Sequence, residues 1–221
     1  MWDRDDLLRL VVADMELTEL PPGVGRLTGL TTLDAAHNRL RAVPEELARL
    51  AALLILYLGE NELSEVPGAV RSLRRLRYLG IDGNRLTALP AWIGELGSLV
   101  ELRVQGNALT SLPDAVGNLA ALRELHARGN RLTALTASIR GLQELRVLDL
   151  RDNALTGLPR ELGGLRRLRT LDLRANPLRS LPDELAGLES LEKLDLRWTP
   201  FFPDLPAPAR ALEARGCVVL H

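Results

Sequence analysis

Few residues of this chain are of types that could do chemistry, and those few lie far apart. The three histidines are His37, His126 and His221, and the one cysteine is Cys217. Because the histidines fall in distant parts of the sequence, we expect no metal site shared between them. The motifs Gly-x-Ser-x-Gly, Gly-x-x-x-x-Gly-Lys, His-x-x-x-His and Cys-x-x-Cys are all absent. We therefore predict a protein that is not an enzyme and that holds no metal or cofactor.

Charged side chains recur at a constant interval of 23 residues in the second half of the chain. Four arginines follow one another at this interval, and an aspartate lies two positions before each of the last three. The arginines are Arg128, Arg151, Arg174 and Arg197, and the aspartates are Asp149, Asp172 and Asp195. A row of arginines could bind an anion, but the aspartates would pair with them and cancel their field. Two interpretations stay open: a solvated ladder of charges, in which each exposed pair contributes about 0–1 kcal/mol, and a site for a charged partner.

A second set of residues, in the middle of the chain, combines aromatic, aliphatic and basic side chains. Tyr57 and Tyr78 are the two tyrosines, and Ile55 precedes Tyr78 by the same interval that separates the arginines. Arg103 and His126 are also separated by that interval. On neighbouring strands of a repeating fold, these five residues would form one contiguous surface. Tyrosine and arginine are typical anchors of protein interfaces, so we predict a partner-binding surface here, against the alternative of incidental surface aromatics.

An internal repeat accounts for these spacings. Seven asparagines follow one another at the same constant interval. They are Asn38, Asn61, Asn84, Asn107, Asn130, Asn153 and Asn176. Around them returns the frame L-x-x-L-x-L-x-x-N-x-L-x-x-L-P-x-x-L-x-x-L. We interpret the asparagines as structural rather than ligand-binding, because a buried amide can satisfy several backbone groups that would each cost about 1–3 kcal/mol if unpaired.

The same frame predicts the local structure of each unit. Leu148 and Leu150 are two positions apart, so on a strand both point to the buried side, while Asp149 and Arg151 point outward. Pro159 presets the backbone for a helical turn that returns on the far side. One unit cannot bury its own apolar residues, so neighbours must stack into a parallel sheet with about 4.8 Å between strands. The wider helical side makes the stack curve, which leaves the strands on the concave face.

This frame resembles that of the leucine-rich repeat family, in particular its 23-residue intracellular class, found in Ras-suppressor-like and Scribble-like scaffolds and in bacterial counterparts. The resemblance implies an α/β fold, a right-handed and curved leucine-rich-repeat solenoid with parallel strands on the concave face and short helical turns on the convex face. It also implies a binding platform without one fixed activity. The likeness to the Ras group implies a small GTPase or its signalling complex as the partner.

The repeats extend over nearly the whole chain, so we expect a single leucine-rich-repeat domain over residues 1–221. Residues 1–6 should form an N-terminal cap, residues 7–199 about nine repeats and residues 200–221 a C-terminal cap. Met15 and Thr199 stand at the asparagine position of the first and last repeats.

The end of the chain shows the pattern expected of a closing cap. Ala207–Arg215 has the pattern of a helix ended by Gly216, and a strand is predicted over Cys217–Leu220. Both phenylalanines, Phe201 and Phe202, should cover the apolar end of the last repeat. With Cys217 on a cap strand, a nucleophilic role for it is disfavoured.

Composition excludes several classes of protein. Lysine and arginine total 28 and aspartate and glutamate 29, well mixed, which gives no electrostatic case for nucleic-acid binding. The longest apolar run, Ala51–Leu58, is too short to cross a membrane, and the first residues do not resemble a signal peptide. One cysteine allows no internal disulfide, which fits a reducing compartment. We therefore expect a cytoplasmic protein without nucleic-acid or membrane partners, as a monomer or weak homodimer.

Together these observations predict a non-enzymatic scaffold or adaptor that binds a protein partner on its concave face, in a signalling role. Two alternatives are a secreted or translocated bacterial effector-type recognition module and an anion-binding surface on the arginine column. The predicted partner-binding residues are Ile55, Tyr57, Tyr78, Arg103, His126, Arg128, Arg151 and Arg174.

Overall fold

The fold was analysed in a computed structural model that describes residues 7–221. In this part of the chain, ten short strands form one parallel sheet whose spatial order is the chain order. The strands are β1 Arg9–Val11, β2 Thr32–Asp34, β3 Ile55–Tyr57, β4 Tyr78–Gly80, β5 Glu101–Arg103, β6 Glu124–His126, β7 Val147–Asp149, β8 Thr170–Asp172, β9 Lys193–Asp195 and β10 Val218–Leu220. The sheet is curved and does not close on itself, which confirms the predicted α/β solenoid.

Short 3-10 helices connect successive strands on the other side of the solenoid. Eight of them lie in the described residues: Pro22–Arg26, Glu45–Arg49, Gly68–Ser72, Ala91–Glu95, Asp114–Asn118, Ala137–Gly141, Arg160–Gly164 and Asp183–Gly187. A proline precedes most of them in extended conformation, as Pro159 does with φ −72° and ψ 144°. In one repeat Thr136 takes the place of this proline, and its hydroxyl caps the helix by accepting a hydrogen bond from the Ser138 backbone N–H. Within residues 7–221, no helix combines the length and apolar character that spanning a bilayer requires.

The core consists of columns of leucine that run the length of the stack. The central residue of each strand pairs in register with that of the next, as Leu79 does with Leu102 and Leu102 with Leu125. All three are completely buried, as is Leu150, which follows strand β7. Burying one leucine side chain stabilises the folded state by about 1.5–3 kcal/mol. Each of these leucines is fully covered only when the neighbouring repeat is stacked against its own.

The asparagine of each repeat joins that repeat to the one before it. The Asn84 amide donates hydrogen bonds to Leu58 O at 2.9 Å in the preceding repeat and to Ile81 O and Asp82 O in its own. Its Oδ1 accepts a hydrogen bond from Leu63 N at 2.9 Å. The same pattern recurs from Asn38 to Asn176. The predicted structural role of these asparagines is confirmed.

The two ends depart from this pattern in different ways. Met15, at the first asparagine position, is exposed, and its backbone N–H donates a hydrogen bond to Asn38 Oδ1 at 3.1 Å. The Thr199 hydroxyl donates to Leu196 O within its own repeat. The predicted N-terminal cap over residues 1–6 lies outside the described residues.

After the last repeat, helix α1 (Ala207–Ala214) leads to strand β10, which pairs with β9. The sequence predicted a helix over Ala207–Arg215 and a strand over Cys217–Leu220, each longer than the observed element by one residue. Phe201 is buried, but Phe202 is 75% exposed. The prediction that both phenylalanines cover the last repeat was therefore wrong for Phe202. The two phenylalanines lie where the chain turns after the last repeat, and this turn directs Phe201 into the core and Phe202 into solvent.

Replacing Asn107 by alanine should lower the free energy of unfolding by roughly 1–3 kcal/mol, because the amide's bonds to Ile81 O, Val104 O and Leu86 N would be lost. Chemical denaturation followed by circular dichroism measures the change. Asn118→Ala, at an exposed asparagine with no side-chain hydrogen bond in the described structure, is the control. An Asn107→Ala midpoint equal to that of the control would contradict a structural role.

Candidate protein interface

The concave face is built from three columns of side chains that the sheet presents outward. Two columns consist of the first and the third residue of each strand, whose side chains point away from the leucine core. The other column consists of the residue two positions after each strand. Along β3 to β6 these positions bring Ile55, Tyr57, Tyr78, Arg103 and His126 together. Ile55 pairs in register with Tyr78, and Arg103 with His126. The contiguous surface expected from the sequence is present, and its residues are partly buried rather than fully exposed.

The centre of this surface is a pair of tyrosines. The ring centroids of Tyr57 and Tyr78 are 4.6 Å apart, with 48° between the ring planes. A Cβ atom at Gly80 would lie 3.1 Å from two atoms of the Tyr78 side chain. Glycine at this position therefore lets the Tyr78 ring lie along its own strand and against Tyr57. We call Ile55, Tyr57 and Tyr78 the aromatic patch.

Arg103 extends the aromatic patch toward β5. Its guanidinium carbon lies 5.9 Å from the centroid of the Tyr78 ring, within the range of a cation–π contact. Its Nε donates to Glu101 Oε1 at 2.6 Å. This charge-assisted hydrogen bond fixes the guanidinium over the ring, so the patch has a basic group held in place at its edge.

The environment of Tyr78 changes its ionisation. Burial raises the pKa of its phenol, the nearby positive charge of Arg103 opposes this, and the net pKa is about 12 against an ordinary 10.0. The phenol is therefore neutral at physiological pH and remains a hydrogen-bond donor.

Beside Arg103, three potential metal ligands lie close together. Ligand atoms of Glu101, Glu124 and His126 are all within 4.8 Å of one another, and His126 Nε2 is 3.1 Å from Glu124 Oε2. One histidine and two carboxylates are a donor set that could hold a divalent ion. Arg103 already occupies one oxygen of Glu101 and would compete with an ion for that carboxylate. The spacing of the histidines does not indicate this grouping, because only one histidine takes part; the spacing of one repeat between Glu101 and Glu124 is the signal for it in the sequence.

At the C-terminal end of the concave face, arginines and aspartates pair with one another. Arg174 binds Asp172 through both its Nε and Nη2, and Arg197 Nη2 lies 2.7 Å from Asp195 Oδ2. Burial pushes the pKa of Asp195 upward, but hydrogen bonds from Arg197 and the charges of Arg174 and Arg197 outweigh it, so the net pKa lies below the ordinary value. Asp195 is only 1% exposed and is ionised, which anchors this charge ladder. The pairing expected of a charge ladder is therefore present at this end, but Asp172, Arg174 and Asp195 are largely buried rather than solvated.

The other two predicted arginines are less neutralised. Arg151 has its Nε 3.3 Å from Asp152 Oδ2, although that nitrogen makes no hydrogen bond. Arg128 is exposed, and no carboxylate of the described residues lies within ion-pair distance of it. The expected aspartate partner of Arg151, Asp149, instead accepts a hydrogen bond from the Arg151 backbone at 3.2 Å.

Cys217 directly precedes strand β10, several strands away from the aromatic patch on β3 and β4. It is 7% exposed, and burial raises the pKa of its thiol. A thiol that is buried and protonated lacks the properties of a nucleophile.

Comparison with known families places the chain in a large structural class. The family described as "leucine-rich repeat region" matches residues 64–146, and that described as "leucine rich repeat" matches residues 28–86 and 136–178. The chain therefore belongs to the leucine-rich repeat proteins. A search of curated protein sequences finds no match.

Three solved structures illustrate the range of similar proteins. A leucine-rich repeat protein of Leptospira interrogans is 31% identical over 96% of this chain and 60% of its own, with a TM-score of 0.76. The ectodomain of the Arabidopsis thaliana receptor kinase GASSHO1/SCHENGEN3, in complex with CASPARIAN STRIP INTEGRITY FACTOR 2, is 32% identical over 88% of this chain and 24% of its own, with a TM-score of 0.79. The leucine-rich repeat domain of the type III effector XopL is 26% identical over 99% of this chain and 77% of its own, with a TM-score of 0.74. The chain thus spans less than two thirds of the first two proteins.

In the variant Tyr57→Phe, Tyr78 is the only tyrosine, and its ionisation should have a midpoint near pH 12 when followed by absorbance at 295 nm. Because its pKa is raised in the folded state, the neutral phenol contributes stability that is present below about pH 10 and is lost as the pH rises through 12. In guanidinium chloride the midpoint should return to the ordinary 10.0. A midpoint near 10 in the folded variant would mean that Tyr78 is not buried as described.

Proposed function

We propose that this protein is a non-enzymatic interaction module whose concave face binds a protein partner, with the aromatic patch and Arg103 at the centre of the contact. The observation that carries the proposal is the packed pair of Tyr57 and Tyr78, beside a guanidinium that Glu101 holds in position. Arg128, Arg151 and Arg174 form the charged continuation of the same surface.

The physical chemistry of the patch supports this proposal. Tyrosine supplies a large apolar area and a polar tip, and tyrosine and arginine are the residues that most often dominate binding energy. The rings pack on each other and on the strand at Gly80, so little side-chain freedom remains to be lost on binding. A rigid, partly apolar surface in the middle of a curved sheet suits a protein or peptide ligand.

Similar proteins add independent support for the class of partner. The Arabidopsis thaliana receptor ectodomain was solved in complex with CASPARIAN STRIP INTEGRITY FACTOR 2. Leucine-rich repeat proteins are generally protein–protein interaction modules. Our proposal includes a cytoplasmic adaptor role in signalling. The resemblance to the Ras group supports a small GTPase or its complex as the partner.

An anion site on the concave arginines is less well supported, because Asp172 and Asp195 neutralise Arg174 and Arg197.

Affinity capture from a lysate of the native cells tests the proposed surface. Tyr57→Ala/Tyr78→Ala should reduce capture of the specific partner by about tenfold or more, because the truncation removes two central anchors. Trp198→Ala/Phe202→Ala is the matched control, since it also removes two aromatic side chains, both highly exposed and outside the patch. Circular dichroism establishes that each variant is folded.

The variant Arg128→Glu/Arg151→Glu separates the charged continuation from the patch in the same experiment. The double arginine variant should weaken capture less than the double tyrosine variant does, because charges at the rim of an interface contribute less than central anchors. Equal recovery of the partner by wild type and both concave-face variants would show that the partner binds elsewhere.

A second candidate function is a secreted or translocated recognition module of the effector type. The observation that favours it is the similarity to the leucine-rich repeat domain of the type III effector XopL over 99% of this chain. Immunodetection of the protein in culture supernatant under secretion-inducing conditions is the test, with a cytoplasmic enzyme as the lysis control. Retention with that enzyme in the cell pellet would contradict this candidate and leave the adaptor.

A further inference from the structure

One side of the solenoid carries a group of arginines that the concave face does not use. The residue immediately before the strand is Arg77 at β4, Arg123 at β6, Arg146 at β7 and Arg169 at β8. Two positions before Arg77 lies Arg75, and the tetrapeptide Arg-Arg-Leu-Arg occurs at both 74–77 and 166–169. We call this side, defined by Arg75, Arg77, Arg123, Arg146 and residues 166–169, the basic flank.

Three arginines of the basic flank differ from those of the concave face in their pairing. In the part of the chain that the structure describes, Arg75, Arg77 and Arg123 make no ion pair and no side-chain hydrogen bond. All three are exposed. Their guanidinium groups are therefore available to an acidic ligand.

Two carboxylates in this region of the chain are already engaged by other arginines. Glu95 binds both Arg71 and Arg74. Glu144, which lines a depression together with the three arginines, binds Arg167. The positive charge of the three unpaired arginines is therefore not cancelled by a direct contact.

The three unpaired arginines surround a shallow open depression of about 520 Å³. The repeat between those of Arg77 and Arg123 lines the depression with the uncharged Ser98 and Val100, and Ala121 lines it from the repeat of Arg123. Arg77 and Arg123 are two repeats apart, which corresponds to roughly 10 Å at 4.8 Å between strands. The short side chains between them leave room for a chain to lie across two repeats with a guanidinium on each side.

We propose that this depression binds an acidic peptide segment of a partner protein, in extended conformation, through Arg75, Arg77 and Arg123. In the extended polyproline II conformation a chain has three residues per turn and advances about 3.1 Å per residue, so carboxylates three positions apart lie on the same side of the peptide and span roughly the distance between Arg77 and Arg123. Guanidinium groups bind carboxylates through paired, charge-assisted hydrogen bonds. Val100 and Ala121 offer apolar contact to the peptide between its acidic residues.

The surroundings favour a short acidic segment over a long polyanion. Beyond Arg169 the flank becomes acidic, with Glu189 and Glu192, and before Arg75 it presents Leu54 and no charge. A nucleic-acid strand would therefore leave the positive field after a few contacts. No aromatic side chain lines the depression, so it offers nothing on which bases could stack. This surface lies outside the concave face, and the proposal does not depend on the aromatic patch.

Fluorescence anisotropy with the labelled peptide (Glu-Gly-Ser)4 tests the proposal on the full chain. Its acidic residues recur every third position, and (Gln-Gly-Ser)4 is the uncharged control peptide. Wild type should bind only the acidic peptide, and Arg75→Ala/Arg77→Ala/Arg123→Ala should weaken that binding by at least about tenfold. The matched variant Arg131→Ala/Arg179→Ala/Arg210→Ala removes the same charge from exposed positions elsewhere and should change affinity by less than about twofold.

Each other outcome overturns the proposal. Absence of acidic-peptide binding by wild type, or an equal loss in both triple variants, would show that no site exists beyond general charge attraction. Tighter binding of a 12-nucleotide oligothymidylate, or of vesicles rich in phosphatidylglycerol, would assign the surface to nucleic acid or membrane instead. Tyr57→Ala/Tyr78→Ala should retain peptide binding, which keeps this test separate from that of the concave face.

Discussion

The buried amide of one repeat completes the hydrogen bonding of the repeat before it, and the rest of the structure depends on this link. Asn61 donates to Ala35 O at 3.0 Å and accepts from Leu40 N at 2.9 Å, both in the preceding unit. These hydrogen bonds set the distance and register between neighbouring strands. At that distance, neighbouring repeats bury leucines such as Leu56 between them. Because register is fixed, equivalent positions line up in columns. The contact between Tyr57 and Tyr78 and the row of arginines on the basic flank both follow from that alignment.

The two faces of the strand region use arginine in opposite ways. On the concave face, Arg174 and Arg197 form ion pairs with aspartates of their own repeats, so the charges there largely neutralise one another. Before the strands, Arg77 and Arg123 are exposed and make no ion pair within the described structure. The strand spacing is the same in both places, so the difference lies in which residues the sequence sets beside each arginine. A balanced overall charge therefore conceals a side of the molecule with a net positive field.

Much of the fold could be predicted from the sequence because its period is strict. A slip of one residue would turn Leu148 out of the core and Asp149 into it, so a constant interval between asparagines leaves one possible register. Side-chain pairing is less predictable, because a long arginine can reach several carboxylates. Arg151 approaches Asp152 instead of Asp149, and Glu101 and Glu124 meet His126 across two strands. The fit of the Tyr78 ring over Gly80 also depends on a rotamer that spacing alone does not specify.

The direction of the asparagine bonds has a consequence for how the chain acquires its structure during synthesis. Leu40 and Ala35 obtain their partner from Asn61, which lies 21 and 26 residues further along the chain. A repeat emerging from the ribosome therefore keeps open hydrogen-bonding groups until its successor has been translated. Asn38 does the same for the first unit that the structure describes, since it accepts a hydrogen bond from Met15 N and donates one to Val12 O. During synthesis, the hydrogen bonding of a unit can therefore be completed no earlier than one unit behind the growing chain.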